Sequence, residues 1–181
     1  MVTAKFTDEM IKIITSMIGK VFCSYECGNT FDNQTYCNFQ INLEDSSIEF
    51  MNEVKDFPFY DSSEELSTFS CKKLPLNTLF KPYCGEPSKK HLINEEITSV
   101  SIVNDEITIN NDEYSISFDM AIIIDTTSHK YTFSRGWFFG EEIDISKDLD
   151  FNDVYPIHNV IEDWSEDGEN DVKVIRTKKV L

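Results

Sequence analysis

Between Ile97 and Ile145 the chain alternates apolar and polar residues in segment after segment, and only two to five residues separate one segment from the next. Connections that short join antiparallel neighbours, because a parallel crossover needs a dozen residues or more. Ile97, Val100, Ile102 and Val103 open the series, Ile107 and Ile109 continue it, and Tyr114, Ile116 and Phe118 follow. Ala121, Ile122, Ile123 and Ile124 then run without interruption, which marks a central strand covered on both faces. Tyr131 and Phe133 alternate next, then Phe139, and Ile143 and Ile145 continue beyond Gly140. Asn104-Asp105, Asn110-Asn111-Asp112 and Thr126 to His129 have the composition of turns. The end reads as one more strand pair: Val160 to Trp164, a turn at Asp167-Gly168, then Val172, Val174 and Ile175. The pattern predicts a mainly antiparallel β meander, curled or barrel-like.

The other half supplies a helix. Thr7 is a good N-cap, Asp8 and Glu9 suit the positive end of the helix dipole, and Phe6 and Ile11 occupy hydrophobic-staple positions. Met10, Ile14, Met17 and Val21 share one face and should pack on the sheet. Cys23 to Asn33 reads as polar and turn-like, and Tyr36 to Leu43 as a strand. Pro58, Pro75, Pro82 and Pro87 break the next stretch, where short helices are expected around Ser47–Lys55 and Ser63–Phe69 and a surface loop over Gly85–Lys90. The expectation is an α+β fold in one domain, 1–181. Residues 1–96 would form a helix and irregular structure, and 97–181 the β-rich half, with the N-terminal helix packed on the sheet.

Charge narrows the function. The 33 acids and 16 bases leave a net −17. Residues 1–90 hold 13 acids against 9 bases, whereas 91–181 hold 20 against 7. Such a surface repels phosphate, and only Arg135 and Arg176 are arginines, so a direct nucleic-acid ligand is disfavoured. A one-signed face steers a basic protein instead. No eighteen-residue apolar run suggests a membrane span. The start, Met1 to Phe22, is interrupted by Lys5, Asp8, Glu9, Lys12 and Lys20, unlike a secretory signal. A soluble, cytoplasmic, monomeric protein is expected.

Catalytic and cofactor motifs are missing. The sequence has no G-x-S-x-G, G-x-G-x-x-G or H-E-x-x-H, and six glycines give little material for a phosphate cradle. His91, His129 and His158 are scattered. Cys23, Cys27, Cys37, Cys71 and Cys84 are odd in number, and C-x3-C-x9-C lacks the paired knuckles of structural zinc. Asp148, Asp150 and Asn152 open a calcium-loop pattern, but Asp153 stands where glycine is needed. From Asp163 the pattern fails at Val174, where the loop needs glutamate. Neither an enzyme nor a cofactor is expected. A calcium or zinc module or a small enzyme is the alternative.

Two aromatic–acidic clusters remain. Trp137 and Phe138 lie beside Glu141, Glu142, Asp144 and Asp148, and Trp164 lies among Glu162, Asp163, Glu166 and Asp167. Aromatic anchors in a one-signed field suit an interface with a basic partner. Glu64 and Glu65 fall outside it on this reading. The segments ITSVSIVNDEITIN, AIIID and YTFSRGWFFGEEIDI, from Ile97 to Ile145, resemble the small immunity proteins of bacterial toxin–immunity systems, those of contact-dependent growth inhibition and related polymorphic toxins. The resemblance implies a cytoplasmic inhibitor that binds its cognate toxin domain, commonly a basic nuclease, and occludes the active site. An acidic nucleic-acid mimic that inhibits a nuclease or phage-defence protein shares this physics and stays open. If the motif reading is correct, metal analysis of the purified protein finds neither zinc nor calcium at one equivalent, and chelation leaves the melting temperature unchanged. One tightly held equivalent of either metal overturns it.

Overall fold

The computed structural model describes residues 2–29, 34–83, 87–165 and 168–181. Its elements in chain order are β1 (Val2–Ala4), α1 (Asp8–Thr15), β2 (Val21–Gly28), β3 (Gln34–Tyr36), β4 (Asn38–Leu43), β5 (Ser46–Phe59) and β6 (Ser62–Pro75). They continue with β7 (Ser88–Ile109), β8 (Tyr114–Thr126), β9 (Lys130–Arg135), β10 (Glu142–Lys147), a single 3-10 turn at Phe151–Asp153, α2 (Ile157–Trp164) and β11 (Val172–Val180). The sheet order is β3-β10-β9-β8-β7-β2-β4-β5-β6, with β11 also on β7 and β1 parallel to β8. Every other pairing is antiparallel. This is the expected α+β architecture, a curled but not closed sheet.

β7 organises it. Its 22 residues would run roughly 70 Å if straight at about 3.3 Å per residue, against a radius of gyration near 16 Å expected of a compact chain this long. The first part of β7 pairs with β2 and the rest with β8, and Ser101–Ile109 also pairs with β11. The sheet therefore folds over, and strands far apart in its order meet. Phe39 of β4 stacks on Phe133 of β9 with centroids 4.4 Å apart and planes 8° apart.

Two cores result. One fills the fold of the sheet with Phe22, Phe39, Phe50, Ile122, Ile124 and Phe133, joined by Ile14 and Met17. The other lies on the opposite face of β7 and β8, where Val160 and Trp164 of α2 and Phe138 cover Ile107, Phe118 and Ile123. Ala121 to Ile124 are all fully buried, as their unbroken apolar run predicts. Each such Phe or Ile contributes roughly 1.5–3 kcal/mol.

Both arginines are internal. Arg135 is 0% exposed and lies between the rings of Phe69 and Phe118, at 5.3 and 5.1 Å. Its Nε donates to the Asp119 carbonyl at 3.1 Å, and its Nη1 to the Ser67 carbonyl and hydroxyl. Burial pulls its pKa down to about 9, opposed by the charges of Asp119 and Asp105. Arg176 grips Asp105 with two bonds, 2.7 and 2.6 Å, and also donates to the carbonyls of Val154 and Tyr155. That fork ties β11 to β7 and to the turn before α2. Every exposed cation is thus a lysine.

Several local expectations are corrected. Asn104-Asp105 is no turn: β7 runs through it opposite a bulge in β8, and Asn104 Nδ2 donates to the Phe118 carbonyl (2.6 Å) and to Asp119 (3.0 Å). The real turn is Asn110-Asn111-Asp112, whose φ values of 52°, 55° and 73° suit these residue types. Ser47–Lys55 and Ser63–Phe69 form no helices. They belong to the long β5–β6 hairpin, because Ile48, Phe50 and Asn52 go inward with period two. Cys23–Gly28 is strand, and Thr30–Asn33 lie outside the described residues. Val160–Trp164 is helix, its two buried residues one helical turn apart and Ile157 and Ile161 exposed. Of the Gly85–Lys90 loop, Ser88–Lys90 begin β7, while Gly85 and Glu86 lie outside the described residues. α1 ends at Thr15, so Met17 is in the following turn and Val21 starts β2. Among the described residues no helix is long and apolar enough to cross a membrane.

Arg176→Ala should cost about 3–5 kcal/mol, because Asp105 stays buried without its counter-ion. Urea unfolding measures it, and the double variant Asp105→Asn/Arg176→Ala should recover part of the loss.

Candidate partner-binding site

Period two on β10 sends Ile143 and Ile145 into the core and turns Glu142, Asp144 and Ser146 the other way. On β9, Ser134 is the register partner of Asp144. Across from them the chain leaves its 3-10 turn at Asp153 and enters α2 through Tyr155 and Pro156. The gap is a cleft of about 440 Å³ whose lining includes Ser134, Gly136, Asp144, Ser146, Asp153 and Tyr155.

Tyr155 joins the two acidic clusters. Its hydroxyl donates to Asp163 Oδ2 at 2.5 Å. Its pKa is driven upward by burial, then by that bond, then by the charges of Asp163, Asp144 and Glu162. Asp163 is itself raised by burial and by Glu162, against the bonds from Tyr155 and the Trp137 indole. Asp144 is raised by burial and by Glu142, against a bond from Gln34. Among the described residues, none of Glu141, Glu142, Asp144, Glu162 and Asp163 forms an ion pair. Trp137, 43% exposed, stands at this surface and packs edge-on against Phe139. A second hollow of about 160 Å³ is lined by Phe59, Glu64, Phe139, Asp163 and Trp164.

The structure thus brings Trp137, Asp144, Glu162 and Asp163 together and excludes other expected contacts. Phe138 and Trp164 are buried, at 0% and 3% exposure, and pack on each other with centroids 5.8 Å apart. They are core residues, withdrawn from any partner. Glu141 is turned toward Cys37, whose thiol donates to it at 3.0 Å, and Glu142 is half-buried with Oε2 lacking a partner. Asp148 lies at the far end of β10, where the Lys130 amide (2.9 Å) and His129 (3.1 Å) engage it and hold its pKa low. Glu166 and Asp167 lie outside the described residues. Glu64 corrects the expectation that it stands apart, because the β5–β6 hairpin carries its tip to Asp163. Tyr155 and Ser134 escaped the sequence reading, for no local signal sets a half-buried Tyr or Ser apart from core.

Among the described residues, no group of three or more His, Cys, Asp and Glu is placed to hold a metal. Burial pushes the thiols of Cys27 and Cys71 up to about 11 and about 12, away from nucleophilic thiolates. Comparison with protein-family models, with curated proteins and with solved structures returns no match.

The raised carboxyls have a signed consequence. A carboxyl whose folded pKa lies above its unfolded value keeps its proton longer in the fold. Stability then falls as pH rises from the ordinary aspartate value through the folded one, and the penalty is complete only above the folded value. Asp144→Asn should therefore raise the melting temperature at pH 7, with the gain fading as pH falls through the folded value and absent below about pH 4. Thermal scans across pH measure it.

Proposed function

We propose that the protein is a stoichiometric inhibitor that binds a basic protein through the acidic surface around Tyr155, in the manner of the toxin-neutralising immunity proteins that its β-rich half resembles. One observation carries the reading: Asp163 of α2 bonds the Tyr155 phenol, the charges of Asp144 on β10 and Glu162 on α2 act on the same group, and among the described residues none of the three forms an ion pair. Holding Asp144 and Asp163 half-buried and ionised costs stability, and a partner's arginines and lysines would return that cost on binding. The net charge of −17 supports a basic partner, and exposed Trp137 supplies an aromatic anchor at the rim. In this mechanism the acids pair with the groups a nuclease toxin uses to hold phosphate, and the bound inhibitor blocks access to the active site.

The test partner is a purified basic nuclease toxin domain, sought first in the reading frame that neighbours the gene. Asp153→Lys/Glu162→Lys reverses two exposed rim acids and should slow association at least tenfold while leaving the melting temperature unchanged. For the native pair, association should approach about 10⁸ M⁻¹s⁻¹ at low salt and slow steeply as salt rises. The control Glu9→Lys/Glu44→Lys lies on other surfaces and should change little. Association that ignores salt, or a control that abolishes neutralisation while the rim reversal spares it, overturns the assignment.

A further inference from the structure

Ser134 is an anomaly in the cleft. It is only 4% exposed, yet its hydroxyl has no hydrogen-bond partner among the described residues although it lines open space. Ser47 donates to Asn42 (2.8 Å) and Ser117 to Asn104 (3.1 Å), while the unpartnered hydroxyls of Ser101 and Thr132 are sealed in the interior; Ser134 differs from both groups in opening on the cleft. A hydroxyl on an otherwise buried side chain that opens on a cleft, with no partner from its own chain, is available to a group entering from outside. Beside it stands Asp144, its cross-strand neighbour, with one bond from Gln34 and no cation. Ser146 adds a second hydroxyl to the lining, Asp153 a carboxylate, and Tyr155 an aromatic residue on the opposite wall.

We propose that this cleft receives one arginine side chain of the partner, its guanidinium donating to the Asp144 carboxylate and the Ser134 hydroxyl while its stem lies along Tyr155. The claim rests on the inhibitor reading above and specifies its central contact. Arginine fits better than lysine for three reasons. Its planar fork of five N–H groups can serve acceptors on different strands at once. It is less strongly hydrated than an ammonium and so enters a half-buried site at lower cost. Its flat face can also lie against an aromatic ring. The chain already seats its own arginines by these means. Arg135 has carbonyl and hydroxyl acceptors between two rings, and Arg176 has a carboxylate with two carbonyls.

The test titrates N-acetyl-L-arginine amide, with N-acetyl-L-lysine amide as comparison, into the ¹⁵N-labelled full chain. The proposal expects saturable shifts centred on the amides of Ser134, Gly136, Asp144 and Ser146, and arginine tighter than lysine by at least threefold. Asp144→Asn keeps the side chain's size and an acceptor for Gln34, and Ser134→Ala keeps the strand. Each should weaken the arginine response, Asp144→Asn by tenfold or more, while the spectrum elsewhere shows an intact fold. Shifts spread over the acids without saturation, lysine equal to arginine, or an unchanged response in Asp144→Asn overturn the proposal. The same two variants are then assayed against the toxin domain. If that domain binds the native chain and binds both variants equally well, the arginine seat is wrong and the inhibitor reading stands. If arginine amide seats in the cleft but no basic protein binds, the inhibitor reading fails while the seat remains.

Discussion

Backbone hydrogen bonding along β7 is the constraint from which the rest follows. One strand serves β2, β8 and β11, so the curl of β7 sets the angle between the two layers and the width of the core between them. Its twist decides that β4 lands on β9 and that Phe39 meets Phe133. The polar Asn104-Asp105 step lies inside this strand, so its side chains had to be satisfied internally. Asn104 bonds across the β8 bulge, and Asp105 recruits Arg176 and with it β11 and the approach to α2. The cleft exists because that approach is pinned at Val154 and Tyr155 while β9 and β10 lie opposite.

Much of the sheet was legible because its cause is local. Alternation from Tyr114 to Phe118, the unbroken Ala121–Ile124 run, and the Asn110–Asp112 turn each depend on the residues themselves and on short connections. The hairpin of β5 and β6 was not legible. Polar and charged residues alternate there with too few large apolar ones, and prolines at 58 and 75 suggested breaks where each in fact pairs within the hairpin. Asn104-Asp105 has turn composition but sits mid-strand, because tertiary partners outweighed local preference. Val160 and Trp164 are four apart, a spacing that five residues alone cannot assign to helix or strand.

The site was legible in charge and illegible in geometry. Counting acids singled out Asp144, Glu162 and Asp163, which share one surface, but not which aromatics stay outside. Trp137 reaches solvent while Phe138, its neighbour, is fully buried, a distinction made by the packing of Phe118 and Trp164. Nor could composition reveal that Tyr155 links the clusters, since the residues involved come from β10, α2 and the segment between them. The same placement has a cost in stability. Carboxylates that would be cheap in water are held half-buried at neutral pH, and the fold is less stable for it.

The contact between Phe6 and Asp119 has a kinetic meaning. The amide of Phe6 donates to the Asp119 carboxylate at 2.7 Å across 113 residues of sequence, and Phe6 also stacks on Phe69. α1 is short and can form early, but its lasting neighbours are made much later in the chain. During synthesis the first strands emerge with apolar faces and unpaired edges, and they must wait for β7 and β8 before the layer opposite them exists. Closing such distant contacts is slow, in the range of milliseconds to seconds for proteins dominated by nonlocal strand pairing. Over that interval the incomplete chain is exposed to edge-to-edge association. Residues 1–90, with 13 acids against 9 bases, give the growing chain little charge repulsion over that interval, and most of the negative charge arrives with residues 91–181.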